Sequence, residues 1–145
     1  MQRIQDGARL VVRLDDGDDV LGRLTALADA EGWRAAFVVA GIGGIGAGAL
    51  GYWNGKEYEP KAIAEFHELV ALTGSIARVD GKPSVHLHAS LGKRAHAVVA
   101  GHVLALTVEN LAELYIETFP GRTWGRPINE SLGLRTLDLD PEPDP

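Results

Sequence analysis

Val85-His86-Leu87-His88-Ala89-Ser90-Leu91 is followed, across Gly92-Lys93-Arg94-Ala95, by His96-Ala97-Val98-Val99-Ala100-Gly101-His102-Val103-Leu104-Ala105-Leu106. Both stretches are apolar, rich in valine and leucine, and joined by a short polar loop, so they predict a long β-hairpin. Strands are expected on either side of it. Ala64–Leu72 and Gly74–Val79 precede the Asp80-Gly81 turn, and Leu111–Glu117 follows the hairpin and is expected to close the sheet. Consecutive strands joined by short turns predict antiparallel pairing.

The first half reads differently. Ala8–Leu14 predicts a strand, and the acids from Asp15 to Asp19 suit a helix start. Val20, Leu24, Leu27 and Ala28, with Leu21 beside them, form the apolar stripe of an amphipathic helix that Gly32 stops. Ala35–Ala40 predicts a buried strand, Ala49–Trp53 another, and Asn54-Gly55 a hairpin turn. One early helix and several late strands predict an α+β domain built on a mainly antiparallel sheet. Gly41, Gly43 and Gly46 match the Gly-x-Gly-x-x-Gly spacing of a dinucleotide loop. That loop must open a helix, whereas a strand and a hairpin follow here, so the glycines are assigned to close backbone packing or a tight turn.

Composition bounds the function. The 145 residues are 46% hydrophobic and 23% charged, enough for one folded domain without staples. There is no cysteine, which excludes disulfides, thiolate metal sites and a cysteine nucleophile. No apolar run approaches the roughly 20 residues of a membrane span, and the first residues lack a signal peptide's apolar core. A cytoplasmic location is the expectation. Lysine and arginine number 14 against 20 acids, a net charge of −6. Asp138, Asp140, Glu142 and Asp144 alternate with Leu139 and prolines, so 1–137 is expected to be the domain and 138–145 an acidic, proline-containing tail. Without the tail's four acids the body stays near −2, with its basic residues scattered, which disfavours autonomous DNA binding.

Three histidines lie in the hairpin. His86 and His88 are two apart and share one strand face, with Leu87 opposite. If the turn pairs His86 with His102, all three imidazoles face one side; a two-residue shift pairs His88 with His102 and keeps them together. A one-residue slip sends His102 to the other face. Neutral imidazole is the commonest metal ligand, and three of them leave a tetrahedral ion one position for water or substrate. Metal ligation by His86, His88 and His102 is therefore the expectation, against the plainer role of half-buried histidines hydrogen-bonded to backbone. His96 lies roughly 20 Å along the strand from His102 and is excluded. Glu68 and Glu113, acids inside apolar strands, are candidates to orient a histidine or to act as a base; a solvent-facing strand position is the alternative. His67 faces away from Glu68, so the two cannot serve one site.

The order of these motifs resembles the plants-and-prokaryotes-conserved (PPC) domain. The resemblance rests on Gly41-Ile-Gly43 with Leu50-Gly-Tyr-Trp53, on Glu68-Leu-Val-Ala-Leu-Thr-Gly74 and on Asp80-Gly-Lys-Pro83. His86-Leu-His-Ala-Ser-Leu91, Gly101-His102 and Glu113 complete it, so that it spans residues 8 to about 118. It implies a sheet flanked by helices, a homotrimer and a metal on His86, His88 and His102. Two departures stand out: Gly92-Lys93-Arg94-Ala95-His96 replaces an acidic segment, and Ala100-Gly101-His102-Val103 replaces Gly-Gly-His-Leu. Plant relatives touch DNA through a separate Arg-Gly-Arg-Pro segment. Trp124-Gly125-Arg126-Pro127 lacks its first arginine, and the tryptophan points to packing instead.

Two functions follow as expectations. The first is a trimeric protein with a divalent metal, zinc foremost, open to a small-molecule ligand or to hydrolase or lyase chemistry. The second is a DNA-associated regulatory or oligomerisation module.

Overall fold

The computed structural model describes residues 1–141. Nine strands and one helix follow in chain order. They are β1 (Gln2–Asp6), β2 (Arg9–Asp15), α1 (Val20–Ala30), β3 (Ala36–Trp53), β4 (Tyr58–Ile63), β5 (His67–Val79), β6 (Lys82–Gly92), β7 (Val98–Thr118), β8 (Ile128–Asn129) and β9 (Leu134–Arg135). The first seven form one antiparallel sheet in the order β1-β2-β7-β6-β5-β3-β4. β3 also pairs with β7 over most of its length, which closes β3, β5, β6 and β7 into a ring.

This corrects the expected α+β class with flanking helices: the fold is mainly β. Only one stretch of the chain has a helical apolar stripe. That stripe forms α1, which buries Val20, Leu24, Leu27 and Ala28 and packs over β6 and β7. Among the described residues no second α-helix forms, and after β7 the pairing consists of the two-residue β8–β9 ladder and the isolated bridges of Gly125 to Arg78 and Asp138.

Three expected breaks are not breaks. Ala36–Ala40 and Ala49–Trp53 are parts of β3, which runs on through the glycines, and Ala35 lies just before it. Glycine there answers close approach rather than turning. A Cβ on Gly43 would sit 2.3 Å from the Leu111 carbonyl oxygen, and one on Gly48 2.1 Å from that of Ala105. Likewise β5 passes through Gly74, and the two strands expected at His96–Leu106 and Leu111–Glu117 are one, β7. Ala36 and Val38 are buried while Phe37 and Val39 are exposed, so this part of β3 alternates instead of being covered on both faces. The Asn54-Gly55 turn forms as expected, with Asn54 Oδ1 accepting from the backbone N–H groups of Lys56 and Glu57. The acidic segment from Asp138 is described only to Pro141; Asp138 pairs with Gly125, and residues 142–145 lie outside the described part.

Candidate metal centre

β6 alternates between core and site. Leu87, Ala89 and Leu91 are buried, which turns His86 and His88 to the opposite face. The β6–β7 register pairs His88 with His102, the second of the two registers that keep all three histidines together. The loop is thus two residues longer than Lys93–Ala95, with a 3-10 turn over Arg94–His96. A bulge in β7 at Leu104 adjoins the site, because Ala49 pairs with Ala105 but Leu50 with Val103. Bulges re-aim side chains in this way.

The three ring centroids lie 4.9 to 5.3 Å apart. One potential ligand atom from each residue falls within 4.8 Å of the others, and Nε2 of His86 is 3.2 Å from Nε2 of His88. Two nitrogens on a tetrahedral zinc ion at its usual bond length are about 3.4 Å apart, so that spacing fits. Nδ1 of His102 is buried with no hydrogen-bond partner, and Tyr58 stacks on its ring at 4.4 Å. Burial, then the Arg126 charge and the neighbouring imidazoles, push His86 down to about 4. Burial first, then His88 and Arg126, lower His102. Both rings are therefore neutral near pH 7, the form that ligates metal. The group can hold a metal ion.

Behind His86 lies a residue to which sequence reasoning assigned no part in the site. Arg126 is only 6% exposed; its Nη1 donates to His86 Nδ1 (3.1 Å) and its Nη2 to Ser75 Oγ (2.7 Å). Its Nε has no partner. The neighbouring Trp124 does pack, against Phe37 and Phe119, and Gly125 bridges to Arg78 and Asp138. Ser75 pairs with His86 across β5 and β6, so its place beside the ring follows from the register.

The candidate acids lie elsewhere. Glu68 is exposed opposite Gly92, four positions along β6 from His88 or roughly 13 Å. It lines a cavity with Phe66, Lys93, Arg94 and His96. Glu113 pairs with Arg13 and Ile42, eleven positions along β7 from His102, roughly 35 Å. Neither joins the histidine cluster within the chain. His96 sits exposed on the hairpin loop, away from the cluster. His67 is buried and donates from Nδ1 to the Glu65 carbonyl, on the face opposite Glu68.

An antiparallel ring carrying three histidines that converge on the hairpin face away from the core defines a class of small β proteins with a candidate metal site. The chain belongs to the Plants and Prokaryotes Conserved (PCC) domain family, whose model matches residues 1–120. Solved structures agree over nearly the whole chain. A candidate DNA-binding protein from Bacteroides thetaiotaomicron is 26% identical, with a TM-score of 0.89 over 95% of this chain and 96% of its own. A metal-containing protein from Archaeoglobus fulgidus is 29% identical, with a TM-score of 0.83 over 91% and 94%. A plant- and prokaryote-conserved protein from Pyrococcus horikoshii is 29% identical, with a TM-score of 0.81 over 90% and 92%. No curated protein matches the sequence. Among the described residues, no helix is long and apolar enough to cross a membrane.

Proposed function

We propose that the protein binds one divalent ion, zinc, on His86, His88 and His102, and presents the ion's fourth position to a small ligand or substrate. The observation that carries this reading is the convergence of three imidazoles, two of them held neutral by burial, with two Nε2 atoms 3.2 Å apart. The likeness to the metal-containing Archaeoglobus fulgidus protein supports it. A bound ion supplies Lewis acidity and a water of lowered pKa, the chemistry of metal-dependent hydrolases and lyases. The chain supplies ring orientation at His102, where Tyr58 stacks on the imidazole.

Elemental analysis of the purified protein tests this. About one ion per chain is expected for a site of this kind. His88→Ala and His102→Ala should lose it and His96→Ala should keep it; full retention in His102→Ala overturns the site.

We further propose a homotrimer. Val11, Val39, Ile42 and Leu111 are each more than 40% exposed, and Val11 and Ile42 line one groove with Tyr115. Exposed apolar groups gathered in this way suit an interface. Light scattering should give three chain masses, and a monomer at micromolar concentration refutes it. Duplex DNA is not the ligand we propose. The net charge is −6, and Arg126, from the segment that resembles a DNA hook, is buried against the histidines.

A further inference from the structure

Arg126 presents an electrostatic problem. A guanidinium stays charged in any protein, and burying a cation costs several kcal/mol unless an opposite charge compensates. Among the described residues, no carboxylate oxygen lies within 4.0 Å of it. Its contacts are two neutral acceptors, Ser75 Oγ and His86 Nδ1, and its Nε–H is unmatched. The side chain is thus a nearly covered, charged fork with donors to spare, placed directly behind one of the three candidate ligands.

The tautomer of His86 sharpens the point. Arginine can only donate, so without a metal His86 Nδ1 accepts and the ring proton sits on Nε2, facing His88 Nε2 at 3.2 Å. A neutral imidazole that ligates through Nε2 must carry its proton on Nδ1. Such a proton is ordinarily donated to a carboxylate or a carbonyl. At His86 the group waiting there is another donor. Metal ligation through Nε2 therefore sets N–H against N–H and releases the Arg126 fork from its only ring acceptor.

An anionic oxygen resolves both faults. It accepts from the guanidinium and supplies the missing counter-charge. We propose that the ligand of the metal-loaded site is a small carboxylate, held by Arg126 beside the ion. This rests on the proposed metal site and adds the chemical class of what that site takes. A carboxylate fits better than a phosphate, because Arg126 offers a single positive charge, which a carboxylate's single negative charge matches, and its planar fork can pair with it bidentately. Arg135 reaches the same segment but spends Nη1 on the Arg126 carbonyl. Arg126 lies beyond residue 120, where the match to the family model ends.

The test uses the full chain loaded with cobalt(II), whose visible spectrum reports its coordination. Cobalt per chain is counted first, in the wild type and in Arg126→Met and Arg126→Lys. Acetate, acetamide and inorganic phosphate are then titrated separately. Acetate should perturb the spectrum saturably with one equivalent per site, and acetamide should not. Arg126→Met should weaken acetate at least tenfold while keeping its cobalt. Arg126→Lys, which retains the charge in case the methionine variant fails to fold, should show a smaller loss. Equal acetate affinity in the wild type and both variants overturns the proposal, as does phosphate binding tenfold tighter than acetate. Failure of the wild type to take up cobalt at the histidines overturns the metal site itself, and the cobalt count reveals that before any anion is added.

Discussion

Replacing Gly74 by alanine should damage the fold and the site together, and the structure sets the size of the effect. Gly74 pairs with Leu87 across β5 and β6. A Cβ built on it would lie 1.9 Å from the His86 carbonyl oxygen and 2.8 Å from Leu87 Cα. Both are backbone atoms of β6, the strand that carries His86 and His88, so no rotamer change relieves the clash. Reaching even 3.0 Å from that oxygen, a distance below which real Cβ atoms essentially never approach, requires the strands to part by about 1 Å. Overpacking of this kind costs about 1–3 kcal/mol, and each ladder hydrogen bond stretched beyond use adds about 1 kcal/mol. A total near 3 kcal/mol corresponds to a fall in melting temperature of roughly 6–12 °C for a domain of this size. Because the displaced backbone belongs to His86, cobalt affinity should fall at least tenfold in the same variant. Calorimetry of the metal-free protein and a cobalt titration measure the two effects. Gly81→Ala is the control: its φ of +73° strains an added side chain but no atom lies within 4 Å, so stability should fall modestly and metal affinity stay unchanged. A Gly74→Ala protein that melts within 2 °C of wild type and binds cobalt normally would refute the steric argument (thresholds set from roughly 2–4 °C per kcal/mol).

Leu87 is fully buried on the core face of the same strand, so Leu87→Ala should cost about 2–5 kcal/mol in urea unfolding. A cost below 1 kcal/mol would mean that the core is not packed as described (the floor expected for a lost buried methylene). Trp124→Ala should cost about 3 kcal/mol and raise amide exchange across 122–128, since Trp124 anchors the segment that carries Arg126; unchanged exchange there would deny it that role. Stability of the metal-free protein should depend on pH. His86 falls from 6.5 to about 4 on folding, so between those values the unfolded chain binds more protons. The contribution is fully present above pH 6.5 and is lost as pH falls toward about 4. Urea midpoints across that range measure it, His86→Gln should flatten the slope, and a wild-type profile flat from pH 7 to 4 contradicts it.

The helix and the hairpin were legible because each is periodic. Val20, Leu24, Leu27 and Ala28 recur at the helical spacing and are the buried face of α1. His86 and His88 share a face because strand side chains alternate, and an odd-length loop brings His102 to them; the loop length that excludes the one-residue slip and chooses between the two remaining registers had to come from the structure. Glycine was ambiguous, since the same residue marks a turn or permits close approach. Gly43, Gly48 and Gly74 serve the second purpose, and for that reason β3 and β5 are longer than their apolar runs. The flanking helices had no periodic stretch behind them, and among the described residues no α-helix forms beyond α1. Arg126 was illegible for another reason. It lies in an irregular segment, and its contacts with His86 and Ser75 span 40 and 51 residues, so no local pattern announces them.

The split between ring and clasp has a consequence for how such proteins can diverge. The histidines stand on strands whose register is tied to the whole closed sheet, so moving one of them disturbs every pairing around it. Arg126 reaches the same spot from a strap beyond residue 120, where the match to the family model ends, held by Trp124 and by the Gly125–Asp138 pairing. A strap can be exchanged, shortened or recharged without re-threading the ring. Relatives with the same three histidines and a different strap would then keep one kind of ion while accepting different guests, and selection could act on the guest alone.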